Sequence, residues 1–567
     1  MKKSLKKIIC LLCVLAMAFS ASACTETTPA LTYDTIPEST GGKDVERAAG
    51  ADEVFSLNSN SNYSFNPIIA TNHSNQLVCA LVYENMVELD NNFEVVPNII
   101  VDWDYSEDFK SWIFTIDTSH TFHDGSPVTG ADLRYSLERA VNADRYKGRF
   151  ASFMGASYTE DKLYVTLGIG DSQFIKLLNI PVVQNGTYGE DFPGGSGPYM
   201  YNEDHTQLIP YEGYVGPPLI EESTEEEEKE SGGLLDTGEE EESRGEIKHA
   251  PVKHPVDVIY LKEYVDAESV ISAFEDSLID VVINDPSSYT NLGYASTNEI
   301  HTYPTTNMHY VMFNEEGVLG KYSNFRYAMN FAFERSELVT LLHGNGVASA
   351  VPMYPTCADY PTEINNNLAY DLQMCLTVME NAGVQDYDND GMLEYMSGTP
   401  QEIDLNFIVC SDSSAKTGMV RRFAEDMASI GLKVTVRELA WEDYLLALEE
   451  GDFDLYYGEV KLRNNFDLTE LLQVRDVEEG EKTTNINFSN STDTSYEYYI
   501  NSYLAAGNMD RAIQYRNLVD YVTQNAALIT IGFEKQQIIC HRGVVKGVNA
   551  NVGNPLYGFM NWEFIEG

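Results

Sequence analysis

The chain is 567 residues long and carries 36 Lys+Arg against 88 Asp+Glu, a formal charge of −52. That balance argues against sequence-independent nucleic-acid binding, which needs a Lys/Arg surface for the phosphates, and against broad adhesion to anionic lipid. With 43% hydrophobic and 22% charged residues the chain can bury a core, and at about 100–200 residues per domain its length suggests two to four domains. Thirty-six Tyr against four Trp fits either a polar, aromatic-lined cleft or the sheet residues of a large β-containing protein.

The N-terminus comes first. Lys2, Lys3, Lys6 and Lys7 precede an apolar run from Ile8 to Phe19 and then Ala21-Ser22-Ala23-Cys24. A basic start, about a dozen apolar residues and a small-residue cleavage site read as a secretory signal over 1–23, too short for a membrane-spanning helix. Residues 24–50 are rich in Thr, Pro, Gly and Glu without an apolar period and read as a flexible tether. No later segment reaches 18 uninterrupted apolar residues, so any membrane attachment is expected through a lipid alone. Of the eight Cys, Cys10 and Cys13 leave with the signal. Past Cys24, the remaining Cys79, Cys357, Cys375, Cys410 and Cys540 are odd in number and lack C-x-x-C spacing. Neither a disulfide framework nor a thiolate metal site is expected from them, and one disulfide stays open.

Between Glu221 and His249 thirteen acidic residues meet three basic ones. Such a run repels itself and buries too little to fold, so 221–249 is expected to be a disordered insertion. Further on, Ile403, Leu405, Phe407 and Val409 alternate with polar residues, Met419, Phe423, Met427 and Ile430 repeat at helical spacing, and Leu432, Val434 and Val436 alternate again after Gly431. This is a βαβ unit. A second amphipathic helix is predicted through Met509, Ala512, Tyr515, Leu518 and Val522, followed by the apolar run Ala527 to Phe533. The pattern is α/β.

Several chemical readings are discounted. Asp386-Tyr387-Asp388-Asn389-Asp390-Gly391 opens like an EF-hand loop, but its twelfth position is Ser397 rather than Glu, so no tight calcium site is expected. His123 is expected to make a structural hydrogen bond, and His249 and His254 flank the acidic run without a metal-site pattern. No G-x-x-x-x-G-K-[ST], H-E-x-x-H or G-x-S-x-G is present, so nucleotide hydrolysis, zinc proteolysis and α/β-hydrolase chemistry lack their signatures. No catalytic residue, resident metal or cofactor is assigned.

A family resemblance begins at Asn66-Pro67-Ile68-Ile69 and continues through Val82 to Val87, Val96-Pro97-Asn98, Trp112 to Ile116, and Phe122-His123-Asp124-Gly125 with Ser136-Leu137-Glu138-Arg139-Ala140. It returns at Gly195-Ser196-Gly197-Pro198-Tyr199, at Phe313-Asn314 with Arg326 to Arg335, at Ala382-Gly383, at Leu432-Lys433-Val434 and at Gly451-Asp452-Phe453-Asp454. These segments resemble the family 5 extracellular solute-binding proteins, receptors of oligopeptide, dipeptide and nickel ABC importers. Ala21-Ser22-Ala23-Cys24 likewise resembles the bacterial lipobox, which implies diacylation of Cys24; a plain signal-peptidase cut nearby is the alternative.

The resemblance implies an α/β fold of two lobes, the Venus flytrap of periplasmic binding proteins (type II, cluster C), with an extra domain inserted in the first lobe. Lobe 1 would comprise 51–85, 196–305 and 535–567, the inserted domain 86–195 and lobe 2 306–534. It implies a monomer on the outer face of the cell membrane that captures a peptide between its lobes and hands it to a permease driven by ATPases.

In oligopeptide-binding relatives a Trp follows the last strand of the βαβ unit, a position Trp441 matches. A Gly-Trp and then an Asp that meets the peptide's amino group follow the Gly-x-Phe-Asp block. Here Glu459 stands where that Trp is usual and Leu462 near the place of the Asp, so Glu459 or Asp467 would supply the carboxylate from a shifted position, or the ligand lacks a free amino terminus. Asn62, Tyr83, Asn314 and Tyr457 are further candidates from their position near segments that cross between lobes. Competing readings keep the fold with a nickel chelate or sugar as ligand, or make the protein a surface sensor or adhesin.

Overall fold

The computed structural model describes residues 54–219, 247–284, 297–342, 346–475, 485–525 and 528–564. The signal over 1–23, Cys24, the tether and the acidic stretch 221–246 lie outside the described residues. Those described fall into two compact units, one of residues 304–536 and the other of 54–303 together with 537–564.

In the unit containing the chain's first described strand, Val54–Ser59 pairs in parallel with Val258–Glu263, which continues antiparallel into Gln207–Pro210 and Tyr199–Tyr201. The alternation that buries Phe55 and Leu57 fixes the register Phe55↔Ile259 and Leu57↔Leu261. Helix His73–Val82 is capped by Asn72, whose side chain accepts from the Asn75 backbone N–H. Its C-terminus meets the glycine–proline turn at almost no distance: a Cβ on Gly197 would lie 2.6 Å from the Leu81 carbonyl oxygen, so only glycine fits. His123 donates from Nε2 to the Gly197 carbonyl oxygen in that same turn, at 3.1 Å. The same unit holds a four-stranded antiparallel sheet ordered Ile100–Tyr105, Ser111–Ile116, Lys162–Leu167, Phe153–Tyr158. Trp112, Phe114 and Ile116 alternate inward from its second strand, and helix Gly130–Asn142 starts at a reciprocal Thr129/Asp132 cap.

The unit of residues 304–536 is built on the predicted βαβ. Asp404–Cys410 runs parallel to Lys433–Leu439 with Leu405 opposite Val434, and helix Ser414–Ser429 crosses between them with Ser413 as its N-cap. Gly431 ends the crossover at φ +83°, where a Cβ would strike the Gly391 carbonyl oxygen. The other edge of Asp404–Cys410 takes Leu455–Lys461 in parallel, then Asn298–Phe313 antiparallel to that, then Leu528–His541. Asn298–Phe313 and Leu528–His541 are long enough to continue into the other unit, where the far end of Leu528–His541 pairs with Val281–Ile283. The second predicted helix spans Asn508–Asn525, but Met509 in its first turn is 93% exposed; burial begins at Tyr515, whose ring meets that of Tyr503 from helix Ser495–Leu504. Cys79, Cys375, Cys410 and Cys540 are free of disulfides.

Candidate functional site

Strand alternation places Asn307 and His309 on one face of Asn298–Phe313, and the register sets His309 directly opposite Glu459 on Leu455–Lys461. Leu528–His541, the neighbour on the other side, brings Glu534. The first turn of helix Ser414–Ser429 adds Lys416. The five side chains form one network. Asn307 Nδ2 donates to Glu459 Oε1 and to Glu534 Oε2, both at 2.6 Å. Lys416 Nζ lies 2.7 Å from Glu459 Oε2 and 3.6 Å from Asp412 Oδ1. His309 Nε2 lies 3.1 Å from Glu534 Oε1, and Nδ1 shares a 2.9 Å hydrogen bond with the Tyr457 hydroxyl.

Exposure falls off steeply across this network, from 27% at Glu534 through 18% at Glu459 and 13% at Lys416 to none at His309. Burial opposes the charge on Glu459, yet Lys416, His309 and the hydrogen bonds from Lys416 and Asn307 outweigh it and hold this carboxyl well below the usual carboxylate range. Burial, with Glu459 and Glu534 nearby, pushes the Tyr457 hydroxyl well above its ordinary value, so it stays protonated. Three carboxylates against one ammonium and one imidazole leave a patch that favours a further positive group at its most open member, Glu534.

The sequence candidates are distributed as follows. Glu459 and Tyr457 belong to this network. Trp441, half-buried, opens helix Trp441–Glu450 and stacks on Tyr444 with ring centroids 6.0 Å apart. Asp467 is buried in an ion pair with Arg463 and caps Thr469, whose backbone N–H it accepts at 2.9 Å. Asn314 is buried and fully engaged: Nδ2 donates to the carbonyls of Gly451 and Phe453, while Oδ1 accepts from the Glu316 backbone and from Asn490 Nδ2. Asn62 and Tyr83 lie in the other unit. Asn62 is exposed, its backbone N–H held by the Asn60 side chain, and Tyr83 is buried with its hydroxyl on the Pro193 carbonyl oxygen. Asn307, His309, Lys416 and Glu534 were not singled out by sequence; a carboxylate directly after the apolar run ending at Phe533 was the one local signal.

Two other polar groupings lie outside this network. In the acidic turn, Asp386 spends its oxygens on the backbone N–H groups of Asn389, Asp390 and Gly391. In the other unit, His120 Nδ1 is 3.1 Å from Glu84 Oε2, and Asp117 Oδ2 lies 3.6 Å from His120 Nε2 and 2.9 Å from His249 Nε2. Burial opposes a charge on His120, but Glu84 and Asp117 outweigh it and raise its pKa.

The sequence profile of the bacterial extracellular solute-binding proteins, family 5 (middle region), matches residues 94–469. The chain belongs to this family. Within it, a stretch of 153 residues is 27% identical to the dipeptide-binding protein DppE of Bacillus subtilis, covering 27% of this chain and 26% of DppE. The fold is that of two-domain periplasmic binding proteins. The oligopeptide-binding protein AppA of B. subtilis, solved with a nonapeptide, superposes at a TM-score of 0.57 with 15% identity, over 90% of this chain and 98% of AppA. NikZ of Campylobacter jejuni, solved with Ni(L-His), gives 0.60 with 16% identity over 93% of this chain and 100% of NikZ. Family 5 proteins are extracellular solute-binding receptors, and among the described residues no helix is long and apolar enough to cross a membrane.

Proposed function

We propose that this chain is the substrate-binding lipoprotein of an ABC importer, anchored through Cys24 on the outer face of the cell membrane, which takes up peptides or peptide-like solutes and presents them to its permease as a monomer. In this reading 51–85, 196–305 and 535–567 form lobe 1, 86–195 an inserted domain and 306–534 lobe 2. The observation that carries the ligand class is the Asn307–Glu459–Glu534 network. It supplies, from positions shifted relative to the oligopeptide-binding pattern, carboxylates suited to a ligand's ammonium group. Glu534 and Glu459 contact the ligand; Lys416 and His309 keep them ionised and fixed.

The test is calorimetric titration of the mature protein with a mixed peptide library and with the same library N-acetylated, alongside native mass spectrometry of the protein as purified. A ladder of peptide masses, and affinity lost on acetylation and in Glu534→Gln, support the reading. Equal affinity for both libraries overturns the amino-terminus assignment. A second reading, capture of a metal chelate, has one observation in its favour: ligating atoms of His309, Glu459 and Glu534 all lie within 4.8 Å of one another. The ammonium of Lys416 at 2.7 Å from Glu459 opposes it, and a chelated metal mass in the same spectrum would establish it.

A further inference from the structure

A second cluster sits on the same two long strands, in the unit of residues 54–303 and 537–564. Glu299 and His301 stand two apart on Asn298–Phe313 and so share a face, and the neighbouring strand Leu528–His541 contributes Cys540. Their ligand-type atoms all lie within 4.8 Å of one another. His301 Nε2 is shielded from solvent and makes no hydrogen bond; its nearest charged neighbour is Glu299 Oε2 at 3.7 Å. Arg542 Nη1 holds the other oxygen of Glu299, Oε1, at 3.3 Å. That leaves Oε2 directed toward the imidazole, as an outer-shell partner orients a ligating carboxylate. Cys540 is fully buried and its thiol is free.

We propose that Cys540, His301 and Glu299 form a binding site for a borderline divalent cation of the zinc, cobalt or nickel class. A buried imidazole nitrogen 3.7 Å from a carboxylate oxygen and short of a hydrogen bond is a costly arrangement, and a cation between the two groups would satisfy both. One thiolate, one imidazole and one carboxylate are the donor set that selects such cations over calcium or magnesium. Bond lengths of about 2.0–2.3 Å require the three ligand atoms to close by roughly 1 Å, and three protein ligands leave a fourth position for water or a small anion. The chemistry has a proton cost. The Cys540 thiol gives up its proton to solvent as the S–metal bond forms. A bound ion would join the two strands that run from one unit into the other. The site is distinct from the Glu459 network, so its failure and the failure of the importer reading are separable.

The experiment titrates the mature protein with Co2+ in excess Mg2+, which saturates the acidic stretch, and follows the thiolate-to-cobalt charge-transfer band. Zn2+ affinity is then measured by competition with a chromophoric chelator. Expected are one Co2+ per chain with the band present and proton release on binding. Cys540→Ala should abolish the band, and His301→Ala, at a side chain one-third exposed, should fold and weaken Zn2+ binding at least about tenfold. Absence of the band in the unmodified protein, or Zn2+ affinity unchanged in both His301→Ala and Cys540→Ala, overturns the proposal. So does cobalt binding that survives Cys540→Ala and is lost in Glu459→Gln.

Discussion

The Lys416–Glu459 pair offers the sharpest check on the energetics of the site. At 2.7 Å the gross attraction is about 6 kcal/mol at an effective dielectric of about 20, and most of it is offset by the cost of withdrawing both charges from water. Charge-assisted hydrogen bonds of this kind retain about 1.5–3 kcal/mol net, and exposures of 13% and 18% put the pair near the buried end of that range. Glu459→Gln is therefore expected to cost about 2–3 kcal/mol at pH 7, lowering the melting temperature by roughly 5–10 °C in a unit of this size. Lys416→Met should cost a similar amount, and the double variant less than the sum, with a coupling of about 1.5–3 kcal/mol.

The pH dependence has a definite sign. The folded-state pKa of Glu459 is depressed below an unfolded value of about 4.3. Its contribution is therefore complete above the unfolded value and is lost as pH falls through the folded one. Urea unfolding of the four proteins of the cycle at pH 7 and at steps below pH 5 checks both parts. A coupling under about 0.5 kcal/mol, or a Glu459→Gln penalty that does not shrink in acid, refutes the reasoning.

Other groups give further expectations. Burial pushes Glu88 up to about 7 despite hydrogen bonds from Asn554, Asn85 and Asn179, and Glu84 adds to the rise; a raised carboxyl withdraws stability as pH climbs. Stability should fall by roughly 3 kcal/mol between about pH 4.3 and pH 8 on its account, and Glu88→Gln should flatten that part of the unfolding profile; parallel profiles would count against it. Asp467→Asn should cost about 1.5–3 kcal/mol by taking one carboxylate from Arg463, which keeps its ion pair with Glu470, read by calorimetry, with peptide affinity unchanged if Asp467 serves only that pair and the Thr469 cap. Gly458→Ala would set a Cβ 2.3 Å from the ring of buried Tyr310 and should cost about 1–3 kcal/mol by overpacking. Gly383→Ala, with open space but φ +81°, should cost about 1–2 kcal/mol through backbone strain alone.

The βαβ unit was legible because each of its signals is local: two-residue alternation in Leu405, Phe407 and Val409, helical spacing from Met419 to Met427, and a stop at Gly431. The strand Leu528–His541 was half legible. Its apolar start stands out, but from Glu534 to Gln537 the side chains are half-buried and the alternation gives no inward face to detect. Met509 illustrates the opposite error, an apolar residue at the right spacing with nothing packed over it. Of the candidate network, Glu459 stood out in the sequence from its place in the family pattern and Tyr457 from its position near segments that cross between lobes. His309 meets Glu459, and Glu534 meets Asn307, through pairing between segments far apart in the chain, and a local pattern sets the face a residue takes but not which distant residue stands opposite it. The same reason hid the Cys540 cluster, because C-x-x-C spacing marks only thiolate sites whose ligands are neighbours in sequence.

Both polar clusters have a common origin in the pleat of one strand. Glu299, His301, Thr305, Asn307 and His309 are all odd-numbered positions of Asn298–Phe313, and a period of two sends them to the same face. Glu534 and Cys540 likewise share parity on Leu528–His541, and the Thr305 hydroxyl bonded to the Glu534 carbonyl oxygen and the Arg542 N–H bonded to the Thr297 carbonyl oxygen fix one register along the pair. A slip by one residue would put Ile300 and Met308 where His301 and His309 now stand and would abolish both sites together. The register is held by the opposite face, where Met308, Tyr310 and Met312 are buried. The chemistry of both clusters therefore depends on apolar packing that never touches it.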